Sequence, residues 1–276
     1  MRLDAHQHFW KFDPYRDSWI DETMGVLKRD YLPSDLKPLL TTNSIDGCIA
    51  VQADQSEQET EFLLHLAEQF DFVKGVVGWV DLRDKNLEKR LEYYSQNQYF
   101  KGLRHIVQAE KQDFLLLKDF QNGISKLSRF DLTYDILIYP FQLNAAIELV
   151  KQFPKQQFII DHIAKPEIRN QKISDWKIGI QLLAQNPNVA CKISGLVTEA
   201  DFTNFSPSDF TPYLDIVFEC FGEDRILFGS DWPVCLVAAT YQDVLLLIEE
   251  YTAGFSEEQN KKLFGGNAAR IYKITE

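Results

Sequence analysis

Positive charge is scarce and scattered in this chain. Basic residues never gather beyond pairs such as Lys261-Lys262, and 29 lysines and arginines stand against 41 aspartates and glutamates, a net charge of −12. No surface rich enough in cations to neutralise a phosphate backbone can be assembled, which argues against nucleic acid as a partner. Cysteine is also sparse: four residues, at 48, 191, 220 and 235, with no CxxC pair and with apolar or strand-like surroundings. Reduced, mostly buried thiols are expected, and neither a disulfide framework nor a cysteine zinc site. Long apolar runs are missing as well, since none approaches the ~18 residues of a membrane span. The first 25 residues carry Asp4, Lys11, Asp13, Arg16, Asp17, Asp21 and Glu22, which excludes a secretory leader and leads to the expectation of a soluble, cytoplasmic protein. Low-complexity tracts and changes of composition are absent, so residues 1–276 are read as one domain.

What the chain does have is core-forming material, 45% hydrophobic residues and 13% aromatics. Short β-branched or apolar runs recur along it: 2–8, 44–52, 72–80, 101–107, 132–139, 157–163, 188–194 and 225–231. Their starts lie roughly 25 to 42 residues apart, the spacing of a strand followed by a helix and two loops. Between them, residues 59–70, 86–96, 142–153, 210–221 and 240–251 place apolar side chains at helical spacing, wide enough to cover the outside of a parallel sheet. An open doubly wound sheet would fit this alternation, but no GxGxxG follows the first strand. Eight regular units favour closure into a (β/α)8 TIM barrel, an α/β fold. The closing helical segment, 256–274, begins with Ser256 and Gln259 in capping-box spacing and is expected to pack across the outside of the barrel.

In such a barrel the chemistry sits at the C-terminal ends of the strands. Four of the five histidines are there: His6 and His8 end strand 1, His105 follows Arg104 on strand 4, and His162 follows Asp161 on strand 6. Strand 7 adds Lys192 and Ser194, and strand 8 ends in Asp231. Strand alternation puts His6 and His8 on one face, with Asp4 and, on strand 8, Gly229 and Asp231. Imidazole and carboxylate are ligands for zinc-type cations, so His6, His8, His162 and Asp231 can hold one divalent ion in an open site. The same groups can also work without metal, the carboxylate as base and the imidazoles polarising an electrophile. Alternation lets only one of Arg104 and His105 point inward, and Arg104 is the choice. His65, inside a helix, is read as a surface residue. Lys192 on a barrel interior needs a partner, either Glu199 or the substrate. Trp10 and Trp232 are candidates for a sugar-stacking wall, whereas Trp79 is read as packing.

These motifs carry a resemblance. LDAHQHFW, GVVGWVDL, KGLRHIVQ, FIIDHIAKP, NVACKISGLVTEAD, FGEDRILFGSDWPVC and FGGNAARIY resemble, in order and from residue 3 to about 272, the amidohydrolase superfamily. The likeness is to its amidohydrolase-2 group and, within that, to its L-fuconolactonase-like and L-rhamnonolactonase-like branch. It implies a barrel with His6, His8, His162 and Asp231 at the core of the site. The binuclear members use a carboxylated lysine or a glutamate after strand 4 and a histidine after strand 5. Here those places hold Arg104-His105 and Tyr139-Pro140, so a two-metal site is not expected, while a single zinc ion and metal-free catalysis both stay open.

The expected reaction is the opening of a sugar lactone to an aldonic acid. Asp231 takes a proton from water, His162, His6 and His8 orient that water or polarise the carbonyl, and Arg104 and Lys192 meet the oxyanion. Trp10, Trp232, Glu199 and the polar loops with Gln52, Asp54 and Thr198 are expected to contact the sugar. Two other readings stand beside it, a zinc-dependent non-oxidative decarboxylase of the same group and an inactive sugar-binding barrel. A homo-oligomer is compatible with the sequence.

Overall fold

The computed structural model describes residues 1–274. Eight parallel strands pair in sequential order, β1 to β8, and close into a barrel. They are β1 (Leu3–Gln7), β2 (Gly47–Val51), β3 (Val73–Gly78), β4 (Phe100–His105), β5 (Thr133–Ile136), β6 (Phe158–Ile160), β7 (Val189–Ile193) and β8 (Ile226–Phe228). Each is followed by a helix: α1 (Pro33–Thr42), α2 (Glu57–Gln69), α3 (Leu87–Tyr94), α4 (Lys118–Leu127), α5 (Leu143–Gln152), α6 (Ser174–Ala184), α7 (Pro207–Phe221) and α8 (Tyr241–Tyr251). Five of these coincide with the amphipathic segments of the sequence. The other three, α1, α4 and α6, carry Pro38, Gly123 and Gly179 inside them, residues that weaken a helical signal. Gly123 is there because a Cβ would stand 2.1 Å from the Leu82 carbonyl oxygen.

Side chains divide cleanly between the two faces of the barrel. Leu3, Ala5, Ile49, Val51, Val77, Ile159, Ala190 and Leu227 fill the lumen, while their neighbours Cys48, Ala50, Val76, Phe158, Ile160, Cys191 and Phe228 pack into the layer beneath the helices. Strand β1 breaks this alternation. Asp4 pairs with Cys48, but Gln7 pairs with Ala50, so one extra residue is accommodated between them as a bulge. Asp4 therefore does not share a face with the two histidines, as alternation alone predicts. It turns outward, Gln7 reaches the Cys48 sulfur, and His6 and His8 turn inward.

The outward Asp4 closes the barrel seam. Among the described residues a single bridge, Gln7 to Trp232, joins β1 to the chain beyond β8, together with His8 N donating to Trp232 O at 2.7 Å and Asp231 N to His6 O at 2.8 Å. The Asp4 carboxylate supplements it, accepting from Ser230 N at 2.9 Å, Ser230 Oγ at 2.5 Å and His6 N at 3.1 Å. One buried carboxylate thus ties the backbone beside His6 to the backbone beside Asp231.

The closing segment departs from expectation. Ser256 and Gln259 do form the capping box of α9 (Glu257–Lys261). From α10 (Asn267–Ile271) onward, however, the chain does not lie across the helices. Ala268, Ile271 and Tyr272 join the lumen cluster, and Tyr272 donates its hydroxyl to Asp135 Oδ2 at 2.8 Å. The segment plugs the N-terminal mouth of the barrel. Gly265 permits the approach, because a side chain there would stand 2.4 Å from the Met1 carbonyl oxygen and 2.9 Å from Leu3 N. Among the described residues no helix is long and apolar enough to cross a membrane.

Candidate active site

Three imidazoles surround one carboxylate at the C-terminal end of the barrel. Asp231 Oδ1 lies 3.4 Å from His8 Nε2 and 3.8 Å from both His6 Nε2 and His162 Nε2. Asp231 reaches this position through a left-handed backbone, φ 58°, which turns its side chain inward where the strand ends. Gly229 makes room beneath, since a Cβ there would come within 2.6 Å of the His6 Cβ. Burial would raise the Asp231 carboxyl, but His162, His8 and His6 hold it below the ordinary carboxylate range. Burial also pushes the His162 imidazole down to about 4 and that of His6 well below its ordinary value.

Each histidine has its second nitrogen occupied. His8 Nδ1 lies 2.7 Å from the Val51 carbonyl oxygen, an acceptor only, so Nδ1 carries a proton and Nε2 is left to face the cluster. His162 Nδ1 meets Ser194 Oγ at 2.9 Å, and His6 Nδ1 lies 3.3 Å from Asp161 Oδ1. His8 Nε2 consequently faces a carboxylate oxygen at 3.4 Å. Two such atoms need a proton or a cation between them. Ligands at ~2.0–2.1 Å around a tetrahedral zinc are about 3.3 Å apart, so His6, His8 and Asp231 have the spacing and donor types of a divalent cation site.

A layer of paired charges supports this cluster from below. Lys192 Nζ lies 2.5 Å from Asp135 Oδ2 and 3.1 Å from Asp161 Oδ1, and Arg104 Nη1 lies 3.1 Å from Asp161 Oδ2. All four residues are at most 4% exposed. Two cations balance two carboxylates, which leaves the Asp231 charge to the pocket. Burial raises Asp135, whereas Lys192, His6 and Arg104 overcome the effect of burial on Asp161 and hold it low.

Above lies a cavity of about 530 Å³. His8, Arg104, His162 and Asp231 form its floor, Trp10, Trp19 and Phe202 stand in its apolar wall, and Lys165 and Glu199 in its polar one. Of the residues expected to contact a sugar, Trp10, Arg104, Thr198 and Glu199 line this cavity. Lys192 does not. It lies a layer deeper, two residues before Ser194 on the same face of β7, and it is neutralised by Asp135 and Asp161 rather than by Glu199. Trp232 does not either. After the left-handed turn at Asp231 its ring runs back under the β1–α1 loop, 1% exposed, and packs edge-on against Phe9 and Tyr31. Gln52 is held beneath the floor by the Arg104 guanidinium. His105 faces the helices, stacked on Phe114 and held by Trp79 and Glu110, and His65 is exposed on α2.

Lys165 was not foreseen. Residues His162, Ile163, Ala164 and Lys165 have φ of 52°, 48°, 59° and 47°, a left-handed turn without glycine that costs roughly 1–2 kcal/mol per residue. Trp176 Nε1 donates to Ile163 O at 2.7 Å and Lys165 N to His162 O at 2.8 Å, fixing it. The turn carries Lys165 back beside His162, where its Nζ lies 2.6 Å from Glu199 Oε1. The only hint in the sequence is the DHIAK run itself.

The sequence profile of the amidohydrolase family matches residues 3–274. The chain belongs to the amidohydrolase family. Among the curated members, this amidohydrolase is 38% identical to an L-fucono-1,5-lactonase from Burkholderia multivorans over 100% of its own length and 97% of that protein. It is 33% identical to an L-fucono-1,5-lactonase from Burkholderia ambifaria over 99% and 96%. A crystal structure of an amidohydrolase from Burkholderia multivorans with bound zinc superimposes with a TM-score of 0.96 at 38% identity, covering all of both chains.

Proposed function

We infer that this amidohydrolase opens a sugar lactone to its aldonic acid by attack of water on the carbonyl carbon. The observation that carries the reading is the Asp231 carboxylate ringed by three imidazoles at 3.4–3.8 Å under a cavity with one aromatic and one ionic wall. Full-length similarity to two L-fucono-1,5-lactonases supports the substrate class.

Asp231 takes a proton from the attacking water as the water oxygen bonds to the acyl carbon. The carbonyl electron pair moves onto oxygen, and Arg104 faces the oxyanion. Its Nη atoms are engaged by Asp161 and Gln52, so it acts on the oxyanion through its charge from the cavity floor. Collapse of the adduct breaks the bond between acyl carbon and ring oxygen, and the ring oxygen takes the proton back from Asp231. The new carboxylic acid then ionises, releasing one proton per turnover. His6, His8 and Asp231, with His162 adjacent, would hold a single zinc-type cation, and when bound such an ion supplies a Lewis acid and a more acidic water. A second ion beside His6, Asp161 and His162 is disfavoured, because Lys192 and Arg104 already face the Asp161 carboxylate.

A decarboxylase acting on an aromatic acid needs several free cations in its pocket. Here, among the described residues, Arg104 is the one arginine lining the cavity, and it is bound to Asp161, so nothing favours that reading. The test is a pH-stat assay, with and without added zinc, on fucono-, rhamnono- and galactono-lactones. At least one should release a proton per lactone with kcat/KM on the order of 10⁴ M⁻¹s⁻¹ or above. Spontaneous rates with every lactone would remove the assignment.

A further inference from the structure

The ion pair in the cavity wall has hydrogen-bonding capacity that the protein does not use. An ammonium has three donors and a carboxylate about four acceptor sites. Among the described residues Lys165 Nζ has Glu199 Oε1 as its one ion-pair partner, at 2.6 Å, and lies 5.8 Å from the centre of the Tyr139 ring, while Glu199 has one further contact, Thr198 Oγ1 at 3.5 Å. Both side chains are mostly buried, 14% and 17% exposed, and both line the cavity that holds Asp231. The rest of their capacity can face only that space.

The backbone on both sides of the pair adopts a left-handed conformation next to His162. Lys165 ends the left-handed turn that starts at His162. Glu199 follows Gly195, which has φ 61° and where a Cβ would stand 2.5 Å from His162 Nδ1. Thr198 Oγ1 donates to the Gly195 carbonyl at 2.8 Å and ties this loop down. The two arms that present the pair are therefore both built around His162, one leading from it and one pressed against it. An ion pair needed only for stability would gain little from such placement, since the cost of desolvating two charges offsets most of their attraction.

We propose that Lys165 and Glu199 determine specificity by reading two neighbouring hydroxyls of the substrate ring, Glu199 accepting from one and Lys165 donating to the oxygen of the next. The pair stays fixed as a unit, so it presents an acceptor and a donor side by side. A ring without hydroxyls leaves the spare donors of Lys165 and the spare acceptors of Glu199 desolvated and unpaired, which is the arrangement that rejects analogues most strongly. This rests on the lactonase reading above and adds to it which atoms of the sugar are read.

The experiment compares kcat/KM for a sugar δ-lactone with that for unsubstituted δ-valerolactone in wild type, Lys165→Met, Glu199→Gln and the double variant. The ratio of the two values should fall at least ~50-fold in each single variant, mainly through KM of the sugar lactone. The double variant should lose little more than either single one, because the pair acts as a unit. A change of stability or of general activity moves both substrates together and leaves the ratio alone. An unchanged ratio overturns the proposal. A wild-type protein inert on every sugar lactone removes the lactonase reading as well, and the two failures are thereby told apart.

Discussion

Asp231→Asn lowers kcat on a sugar lactone about a thousandfold, within the ~10²–10⁴ range of a positioned general base. Asparagine has the shape of aspartate and keeps a carbonyl oxygen toward the imidazoles, but it cannot take a proton from water. The side chain is 3% exposed, and the other carboxylates nearby are engaged, Asp161 by Lys192 and Arg104 in the layer below and Glu199 by Lys165 in the cavity wall. The melting temperature should change little, because the seam of the barrel is held by the Asp231 backbone and by Asp4 rather than by the Asp231 side chain. Steady-state kinetics beside a thermal melt check both parts. A loss under about tenfold would mean that another group activates the water.

The second large effect is on stability. Lys192→Met should destabilise the protein by about 3–5 kcal/mol, the cost of breaking a buried ion pair by removing one partner. Lys192 Nζ is the cation shared by Asp135 and Asp161. Without it, Asp135 keeps only the Tyr272 hydroxyl, and Asp161 keeps Arg104. The melting temperature should drop by roughly 10 °C for a domain of this size. Adding Asp135→Asn to the variant removes the stranded charge and should recover at least half of the loss. A single variant that melts within about 2 °C of wild type would show that the lumen network contributes nothing.

Much of this protein is legible without coordinates, for a simple reason. Parallel strands buried on both faces read as short apolar runs, and all eight were visible. His6, His8, His162 and Asp231 were visible because strand ends in a barrel converge whatever their separation in sequence. What escaped depends on backbone features with no compositional mark. The bulge in β1 sends Asp4 to the opposite face from His6. A left-handed turn of four non-glycine residues brings Lys165 into the cavity, and no pattern rule anticipates such a turn. Lys192 and Ser194 share a face of β7, yet only Ser194 is high enough to touch His162, a difference of one layer that alternation cannot rank. Tyr272 lies beyond the last strand, and its entry into the lumen rests on the close approach allowed by Gly265.

In the proposed mechanism Asp231 acts as a base on water and does not itself attack the lactone. A single turnover in water labelled with heavy oxygen, with enzyme in excess over lactone, tests it most directly. Mass spectrometry should find one heavy oxygen in the carboxylate of the aldonic acid and none in the peptide containing Asp231. Label in Asp231, with unlabelled acid released in that first turnover, would contradict it.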